Sequence, residues 1–392
     1  MSLEPFARSL DLQRLREEGY AVSIRGGLLV MRDIPYVDAQ CCVRRGVLIS
    51  SLTMAGDETQ RPDTHVVHFD GDFPCQADGT RIAEIAHQTA HQDLGSGVTA
   101  EHSFSSKPPE GYADYYIKMT TYAAILCGPA RVLDPAADPR TYRAPEEEED
   151  SVFHYTETAS NRVGLGRLSE HFHEEVLAIV GLGGTGSYVL DLAAKTTARE
   201  IRLFDGDDYL QHNAFRSPGA ASIEKLRLVP KKVDHFAGIY GRMRRGLVPH
   251  AVGLDADNLH LLDGVTFAFL SMDAGEAKRS VVGKLEAMGV PFIDMGMGLE
   301  LVDGSLGGIL RVTTSTPAKR DHVHGGRLSF AGGGAEDDLY ASNIQVADLN
   351  ALNAVLAVIK WKKLRGFYRD DEHEHHCTYT TDGNLLLNGD QT

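Results

Sequence analysis

The sequence predicts an α/β protein, in which a Rossmann-like, mostly parallel sheet is preceded by a smaller α+β domain. Three observations support this prediction. An apolar strand runs directly into a glycine series in VLAIVGLGGTGS (176–187). Two further apolar runs, at 201–204 and 265–270, are each followed by an aspartate and then by a polar segment or a helix. Short strand-like segments such as GLLVMR (27–32) and HVVHFDG (65–71) lie upstream of this region.

The first strand ends in a glycine loop that suits phosphate groups. Its glycines are Gly181, Gly183, Gly184 and Gly186. Without a Cβ atom, a glycine lets the backbone turn tightly, approach phosphates closely and direct N–H groups at them from a helix N-terminus. Dinucleotide, flavin and ATP sites share this arrangement. The loop therefore predicts a phosphate-bearing nucleotide and leaves its identity open.

The second strand is followed by groups that favour ATP. Asp205 lies 19 residues beyond the last loop glycine, where an acidic side chain would meet the ribose hydroxyls. An NAD enzyme could look the same up to this point, but it would not need Asn213, Arg216 and the lysine pair 231–232 that opens the next helix. Charge that develops on phosphate oxygens during displacement requires fixed positive groups. We therefore expect ATP rather than NAD.

The third strand leads to a candidate metal ligand. In an open parallel sheet, ligands bind at the carboxyl ends of the strands, so Asp205 and Asp273 should face one crevice. A carboxylate at that position can hold Mg²⁺ on the phosphates. The alternative is that Asp273 caps the helix expected to start near Gly275. The two roles are compatible.

Together, GLGGTG, DGD with HNAFR, Lys232 and MDAG resemble the adenylating superfamily that includes ThiF, MoeB and the ubiquitin-activating enzymes. The resemblance covers roughly residues 160–315. It implies an enzyme that binds ATP and Mg²⁺ and adenylates the C-terminal glycine carboxylate of a ubiquitin-like protein. A bacterial-type conjugation pathway, with antiviral defence as one setting, would follow from that activity.

The resemblance also assigns roles by position. Asp205 would hold the ribose, Asp273 would bind the metal, and the phosphates would be contacted by Asn213, Arg216 and Lys232. Asp207 and Lys231 are placed beside the same nucleotide.

An arginine ahead of the glycine loop is expected to act in trans. In this superfamily such a residue reaches the partner subunit's site, and Arg162 in SNRVGLGR occupies the matching place, with Arg167 the less favoured candidate. The resemblance thus implies a homodimer. Ser217 departs from the family pattern, because a glutamine usually stands there. The chain also lacks the two CxxC pairs of many bacterial members, so we expect no cysteine–zinc site.

The residue that would accept an acyl group is left open by the sequence. Cys377 in HEHHCTYT follows the metal-binding motif, and its neighbours His375 and His376 could lower its pKa. The alternative is a partly buried cysteine in a terminal strand. A hydroxyl of 313–316 could instead take the acyl group as an oxyester. Cys75, in a turn, shows no activating neighbour.

Composition fits a cytoplasmic, two-part protein. The 392 residues contain 42% hydrophobic side chains and five cysteines without paired spacing, which is typical of a reducing compartment. No run of about 18 apolar residues and no signal-peptide core is found. The net charge of −16, from 39 basic and 55 acidic residues, argues against nucleic acid as the main ligand.

We predict three segments: an N-terminal α+β recognition domain (1–140), an acidic linker (141–159) and the adenylation domain (160–392). The first would bind the ubiquitin-like protein or a conjugating enzyme. Predicted strands at 20–25, 27–32, 47–52 and 65–71, and helices near 10–18, 81–92 and 114–126, make up this domain. In the last domain, 319–338 is expected to be a crossover loop and 343–367 a long buried or dimer-forming helix.

Histidines of the first domain offer a weak metal site. His65 and His68 alternate with valines, and His87 and His91 stand one helical turn apart, but no third ligand is placed near them. Hydrogen-bonded or solvated histidines are the expected outcome. Two rival functions stay open for the whole chain: an NAD(P)- or flavin-dependent oxidoreductase, and a degraded scaffold that only docks a ubiquitin-like partner.

Overall fold

The structure is a computed structural model that describes residues 4–142, 151–155, 166–330 and 345–391. Its chain divides into two compact units, Met1–Glu170 and His171–Thr392. The α/β class is confirmed, with a mostly parallel sheet in the second unit and an antiparallel sheet in the first. The predicted linker (141–159) falls largely outside the described residues. Among those residues, no helix combines the length and apolarity that crossing a membrane would need.

The N-terminal unit is an antiparallel sheet with a long helix packed on it. Its helices are α1 (Glu4–Arg8), α2 (Leu10–Glu17), α3 (Tyr115–Leu133) and α4 (Gly166–Ser169). Its strands are β1 (Val22–Arg25), β2 (Leu28–Val37), β3 (Val43–Ser51), β4 (Met54–Ala55), β5 (Glu58–Thr59), β6 (Val66–Asp70), β7 (Ala86–Gly95) and β8 (Val98–Ser105). Six of them form one sheet in the order β1-β2-β3-β6-β8-β7, and β4 pairs with β5.

The helix α3 covers one face of this sheet. Asp114 caps its first turn by accepting a hydrogen bond of 2.7 Å from the Ile117 N–H. Tyr115, Met119 and Tyr122 on one side of the helix are buried against the sheet core. The predicted strands of this unit and the helices near 10–18 and 114–126 are therefore confirmed, with β2 and β3 longer than expected.

One element of the N-terminal unit was predicted wrongly. Residues 81–92 were expected to form a helix, whereas Ala86–Gly95 forms strand β7 and pairs antiparallel with β8. Ser96 and Gly97 join the two strands, both with positive φ, of 52° and 67°. A two-residue turn of this kind matches the twist of a hairpin, and strand pairing outweighs the weak helical pattern of the segment.

The C-terminal unit is built on one eight-stranded sheet. Its strands are β9 (Val176–Val180), β10 (Glu200–Phe204), β11 (Leu247–His250), β12 (Phe267–Leu270), β13 (Phe292–Val302), β14 (Ser305–Ser315), β15 (His376–Thr380) and β16 (Leu385–Gly389). Its helices are α5 (Gly184–Ala193), α6 (Gln211–Ala214), α7 (Ile223–Arg227), α8 (Lys232–Tyr240), α9 (Glu276–Ala287) and α10 (Ala347–Leu364). The strand order is β11-β10-β9-β12-β13-β14-β15-β16.

The strand directions place the candidate residues at one edge. Strands β9 to β13 run parallel, and β14 to β16 continue the sheet antiparallel. The chain leaves β9 toward β10 and β11, then returns to its other side at β12, which makes the end of β9 a topological switch point. Ligands of such sheets bind outside the strand ends at that point.

Strand β13 runs through the glycines of DMGMGLE (294–300) and pairs with β14 along its whole length. Gly296 makes room for the Arg311 side chain, because a Cβ there would lie 2.6 Å from Arg311 Nη2. The long helix is confirmed as α10, whose Trp361 is fully buried beside Phe172 and Phe269.

Candidate nucleotide-binding site

The glycine loop joins β9 to α5 and lies against the end of β12. Gly181 has φ +86°, and a Cβ there would collide with the carbonyl oxygen of Ser271. A Cβ on Gly186 would collide with the Gly181 carbonyl, so both positions need glycine for close packing. Gly183 is the N-cap of α5, gives no side-chain cap, and faces open space. The helix N-terminus is thus left open for an anion.

Asp205 connects the end of β10 to this loop. Its buried carboxylate accepts hydrogen bonds from the Leu182 N–H (2.7 Å) and the Asp207 N–H (2.9 Å). Lys232 Nζ lies 3.4 Å from Asp205 Oδ2 and 2.7 Å from Asp207 Oδ2, and its hydrogen bond lowers the pKa of the Asp207 carboxyl. The three residues form one charged cluster beside the loop. Ribose binding by Asp205 stays a prediction.

The two lysines that precede and open α8 point to different partners. Lys232 is buried next to the loop, whereas Lys231 pairs with Asp208 at 2.9 Å and donates to the Gly206 carbonyl at the same distance. The Asp208 contact raises the pKa of Lys231. Of these two lysines, Lys232 alone contacts Asp205.

The asparagine and arginine after Asp205 carry donors that meet no acceptor among the described residues. Asn213 Oδ1 accepts from the Leu210 N–H at 2.8 Å, but its Nδ2 is buried without a hydrogen-bond partner. The Nε of Arg216 is buried without a partner as well. Buried polar atoms are nearly always paired, so these two N–H groups of one motif have donor capacity that the described residues leave unused. Phosphate oxygens are acceptors of the kind that such donors bind.

A residue that the sequence analysis did not identify links these parts. Asn350, in the first turn of α10, has no exposed surface. Its Oδ1 accepts from Thr185 Oγ1 (2.9 Å), its Nδ2 donates to the Arg216 carbonyl (3.4 Å), and its side chain occupies the space next to Gly184. A polar residue on the buried side of an apolar helix was the one signal in the sequence. The partners, 165 and 134 residues away, could not be inferred from it.

Asp273 lies in the exposed loop between β12 and α9. The capping alternative is wrong, since the N-cap of α9 is Gly275, with φ +146°. The loop begins at Ser271, which contacts Gly181, so it adjoins the glycine loop. In the described ranges no three metal-binding side chains come together. A single carboxylate nevertheless suits Mg²⁺, which keeps several waters and takes phosphate oxygens as ligands.

The proposed acyl acceptors are poorly placed for that role. Cys377 is buried in β15, and burial raises its pKa to about 11, so the expected lowering by its histidine neighbours is wrong. Burial lowers the pKa of His376 to about 4, which leaves that ring neutral. The hydroxyls of 313–315 lie inside β14 rather than in a loop, and Thr313 Oγ1 is 3.1 Å from His376 Nδ1.

Three of the four candidate histidines of the N-terminal unit contact neighbouring side chains among the described residues. His65 pairs with Ser105 (3.1 Å), and since β7 is a strand, His87 and His91 contact Ser103 (2.9 Å) and Glu101 (2.7 Å) on β8. His68 Nδ1 is buried without a partner. Cys75 is buried, and burial raises its pKa.

The arginine predicted to act in trans, Arg162, lies outside the described residues, as do 331–338 of the predicted crossover. Arg167 is exposed and pairs with Asp93 at 3.5 Å. Ser217, where the resemblance predicted a glutamine, donates to the Asn213 carbonyl at 2.8 Å and lies 3.1 Å from the Tyr209 hydroxyl. It thereby supports the turn that carries Asn213 and Arg216.

The fold and this edge of the sheet define a Rossmann-like unit with a candidate nucleotide site. A family model described as a domain of unknown function (DUF6791) matches residues 10–158. No curated protein matches the chain.

Several solved structures are similar in fold. Escherichia coli MccB with succinimide has a TM-score of 0.43 and 16% identity over 57% of this chain and 66% of that chain, just under two thirds of its length. The same enzyme with AMPCPP and selenomethionine MccA has a TM-score of 0.45 and 16% identity, covering 59% of this chain and 71% of that one. Selenomethionine PaaA has a TM-score of 0.42 and 16% identity, covering 57% of this chain and 75% of that chain.

Proposed function

We propose that the C-terminal unit is an adenylyltransferase that uses ATP and Mg²⁺ to activate the C-terminal glycine carboxylate of a ubiquitin-like protein. The observation that carries the proposal is the pair of buried, unpaired N–H donors on Asn213 and Arg216. Asn350 links the Arg216 turn to an open helix N-terminus, and an anion with several acceptor oxygens would satisfy both features. The motif resemblance supports the choice of ATP and of a protein carboxylate.

The residues present can drive the displacement without a side-chain nucleophile. A carboxylate oxygen bonds to the α-phosphorus while the bond from that phosphorus to pyrophosphate breaks. Both reactants are anionic, so the fixed charges of Arg216 and Lys232 offset the repulsion and align the attack. Asp273 would hold Mg²⁺, which neutralises phosphate charge when bound. The backbone N–H groups at the start of α5 bind phosphate oxygens.

Acyl transfer would then proceed to a group outside this site. Cys377 is buried with a raised pKa, and adenylation does not require it. We propose that the N-terminal unit recognises the ubiquitin-like protein or a conjugating enzyme that accepts the acyl group. Its six-stranded sheet, together with the match to a domain of unknown function, defines a separate folded module without naming its ligand.

We propose a homodimer in which Arg162 enters the partner subunit's site. Large apolar side chains are exposed in the segment that follows Asp205: Phe215 is 78% exposed, Leu228 72% and Ile239 37%. Ile239 also lines a cavity of about 430 Å³, together with Lys225, His235 and Arg242, among others. Exposed apolar side chains are typical of protein–protein interfaces when they form a contiguous surface. The double substitution Phe215→Ser/Leu228→Ser should shift light scattering from the dimer to the monomer mass, which an unchanged dimer would contradict.

Two measurements test the proposed activity. Calorimetry should show Mg²⁺-dependent binding of ATP and none of NAD⁺ or FAD, because the cations beyond Asp205 match a triphosphate. Pyrophosphate exchange into ATP should then depend on a β-grasp protein that ends in glycine. Binding of NAD⁺ or FAD instead of ATP would support an oxidoreductase. ATP binding without exchange for any such protein would support a scaffold.

A further inference from the structure

A buried ion cluster underlies the loop that carries Asp273. It consists of Lys278 on α9, Asp294 on β13 and Arg311 on β14. Lys278 and Asp294 are 4% and 0% exposed, and Lys278 Nζ is in direct contact with Asp294 Oδ1. Arg311 Nη2 donates to the other oxygen, Asp294 Oδ2, at 2.7 Å. No motif in the sequence points to a role for these three residues.

The place of this cluster is unfavourable for stability alone. A carboxylate without any exposed surface carries a large desolvation penalty, and apolar residues of similar size are often as stable. Lys278 also stands in the first turn of α9, where the helix dipole disfavours a cation. Two cations face one carboxylate, so the cluster keeps a net charge of +1. These costs suggest that the cluster serves the site.

Lys278 connects the cluster to the candidate metal loop. Its Nζ lies 3.4 Å from the carbonyl oxygen of Met272, the residue that precedes Asp273. Leu270, the last residue of β12, is the parallel register partner of Asp294. The Lys278 ammonium group therefore connects the loop that follows β12 to the Asp294 carboxylate on the neighbouring strand β13.

Arg311 fixes the far side of the cluster. Its Nη1 donates to Thr313 Oγ1 at 2.9 Å and to the carbonyl of Arg327 at 2.7 Å. Its guanidinium lies over Gly296, where a side chain would displace it. Asp294 is thus held in one position, and Lys278 is held with it. The loop itself offers less support, since Asp273 is exposed and Gly275 has φ +146° without a side-chain cap.

We propose that Lys278 is a positioning residue that sets the Asp273 carboxylate against the glycine loop, with Asp294 and Arg311 fixing Lys278. The inference rests on the proposed function only for the metal that Asp273 would bind. The constraint on the loop is a property of the chain itself. The two parts can be measured separately.

Hydrogen exchange of the ligand-free chain tests the constraint on the loop. In Lys278→Met, the amides of 271–275 should exchange about 10-fold faster or more. The substitution removes the charge-assisted hydrogen bond to the Met272 carbonyl, and the loss of one such bond corresponds to at least about a tenfold change in the opening equilibrium of the loop. The amides of α5 should keep their rates. The matched control is Lys284→Met on the same helix, which breaks only the exposed pair with Asp263 at 2.6 Å and should leave the loop unchanged. Lys278→Arg should restore the loop rates.

A titration with Mg²⁺ tests whether Lys278 supports metal-dependent ATP binding. The Mg²⁺ concentration that half-saturates ATP binding should rise about 10-fold or more in Lys278→Met, as for other residues that orient a metal ligand. ATP binding without Mg²⁺ should not change. If Lys278→Met fails to fold, Lys278→Met/Asp294→Asn removes both charges and takes its place.

The outcomes separate the two claims. Unchanged exchange in 271–275 of a folded Lys278→Met protein would overturn the positioning role, whatever the chain binds. If the loop of Lys278→Met exchanges faster but the wild-type protein binds no ATP with Mg²⁺, the positioning role is supported and the proposed function is refuted. A loss of ATP affinity that is equal with and without Mg²⁺ would also count against the positioning role.

Discussion

Buried lysines in the two units of the chain have different partners. In the C-terminal unit, Lys232 contacts Asp205 and Asp207, and Lys278 contacts Asp294. In the N-terminal unit, Lys118 has no exposed surface, and its Nζ donates one hydrogen bond, of 2.8 Å, to Ser50 Oγ. Burial lowers its pKa to about 8. The paired lysines lie against carboxylates near the sheet edge, whereas folding weakens proton binding at Lys118.

This difference indicates where a buried positive charge is useful for function. Pairing a buried cation with a carboxylate holds the charge at a defined place, which a site for phosphates requires. A buried lysine without a carboxylate costs stability and provides no such field. We therefore expect that removal of a fixed cation from the C-terminal unit reduces activity, while removal of Lys118 increases stability.

The largest effect is expected from Arg216→Ala. The substitution removes a fixed cation and one of the orphaned donors, so pyrophosphate exchange should fall by about 10²- to 10³-fold, as for other residues that stabilise developing charge. Arg199→Ala is the matched control. Arg199 lies just before β10, at the opposite end of the strand from Asp205, and pairs with the exposed Glu174. Equal rates for the two variants would contradict the assignment of Arg216 to the site.

The next effect concerns Lys118 and has a defined sign. Its pKa is about 8 in the folded chain and 10.5 when unfolded, so the unfolded chain binds more protons between pH 8 and 10.5. The contribution of Lys118 to the stability of the N-terminal unit therefore rises with pH through this window, by about 3 kcal/mol, and its full penalty is present below pH 8. Above pH 9 the buried Cys127 thiol, whose pKa is raised to about 12, acts in the opposite direction. Lys118→Met should stabilise this unit by a similar amount at pH 7, and the difference between the variant and the wild type should shrink as pH rises above 8.

Urea unfolding with two probes measures this change. Fluorescence of the single tryptophan, Trp361, reports on the C-terminal unit, and circular dichroism reports on both units. The shift caused by Lys118→Met should therefore be seen by dichroism and not by fluorescence. A destabilised variant at pH 7 would show that Lys118 is held by something stronger than one serine hydroxyl.

The sequence predicted the C-terminal unit better than the N-terminal one for a physical reason. Buried parallel strands are continuous apolar runs, and the glycine loop marks the turn between β9 and α5, so local signals determine these elements. In the N-terminal unit, the four-residue spacing of His87 and His91 was interpreted as a helical turn. The Ser96–Gly97 turn was the better signal, because it predicts a hairpin that pairs β7 with β8.

Contacts between distant parts of the chain could not be predicted. Asn350 reaches Thr185 over a separation of 165 residues, and Lys278 meets a carboxylate on a neighbouring strand. Neither pairing leaves a local pattern. The same applies to Cys377, whose neighbours in sequence suggested a lowered pKa. Its position inside β15 raises the pKa instead, because burial outweighs any nearby positive charge.

Cysteine labelling gives the next effect. Cys41 and Cys42 are exposed, whereas burial raises the pKa of Cys377 to about 11 and that of Cys127 to about 12. At pH 8 the thiolate fraction of Cys377 is roughly 100-fold below that of an ordinary thiol. Iodoacetamide should therefore label Cys41 and Cys42 at least about 100-fold faster than Cys377, as measured by peptide mass spectrometry. In urea the five cysteines should react alike. Rapid native labelling of Cys377 would restore it as an acyl acceptor.

The smallest effect compares two buried asparagines on one helix. Asn350 bonds Thr185 and the Arg216 carbonyl, while Asn353, three residues along α10, donates to the Gly296 carbonyl at 3.0 Å. Either asparagine replaced by alanine should lower the free energy of unfolding by about 1–2 kcal/mol, since each leaves a buried partner unsatisfied. Trp361 fluorescence in urea measures this loss.

The two variants should differ in ligand binding. Asn350→Ala releases the glycine loop from the arginine turn, so its affinity for ATP should fall by about 10-fold, the equivalent of one hydrogen bond. Asn353→Ala removes only the bond to Gly296 on β13, so this variant should retain the wild-type affinity by calorimetry. Equal losses in both variants would mean that Asn350 acts on ATP only through general stability. The charged and orphaned groups around the glycine loop would then be held in place without it.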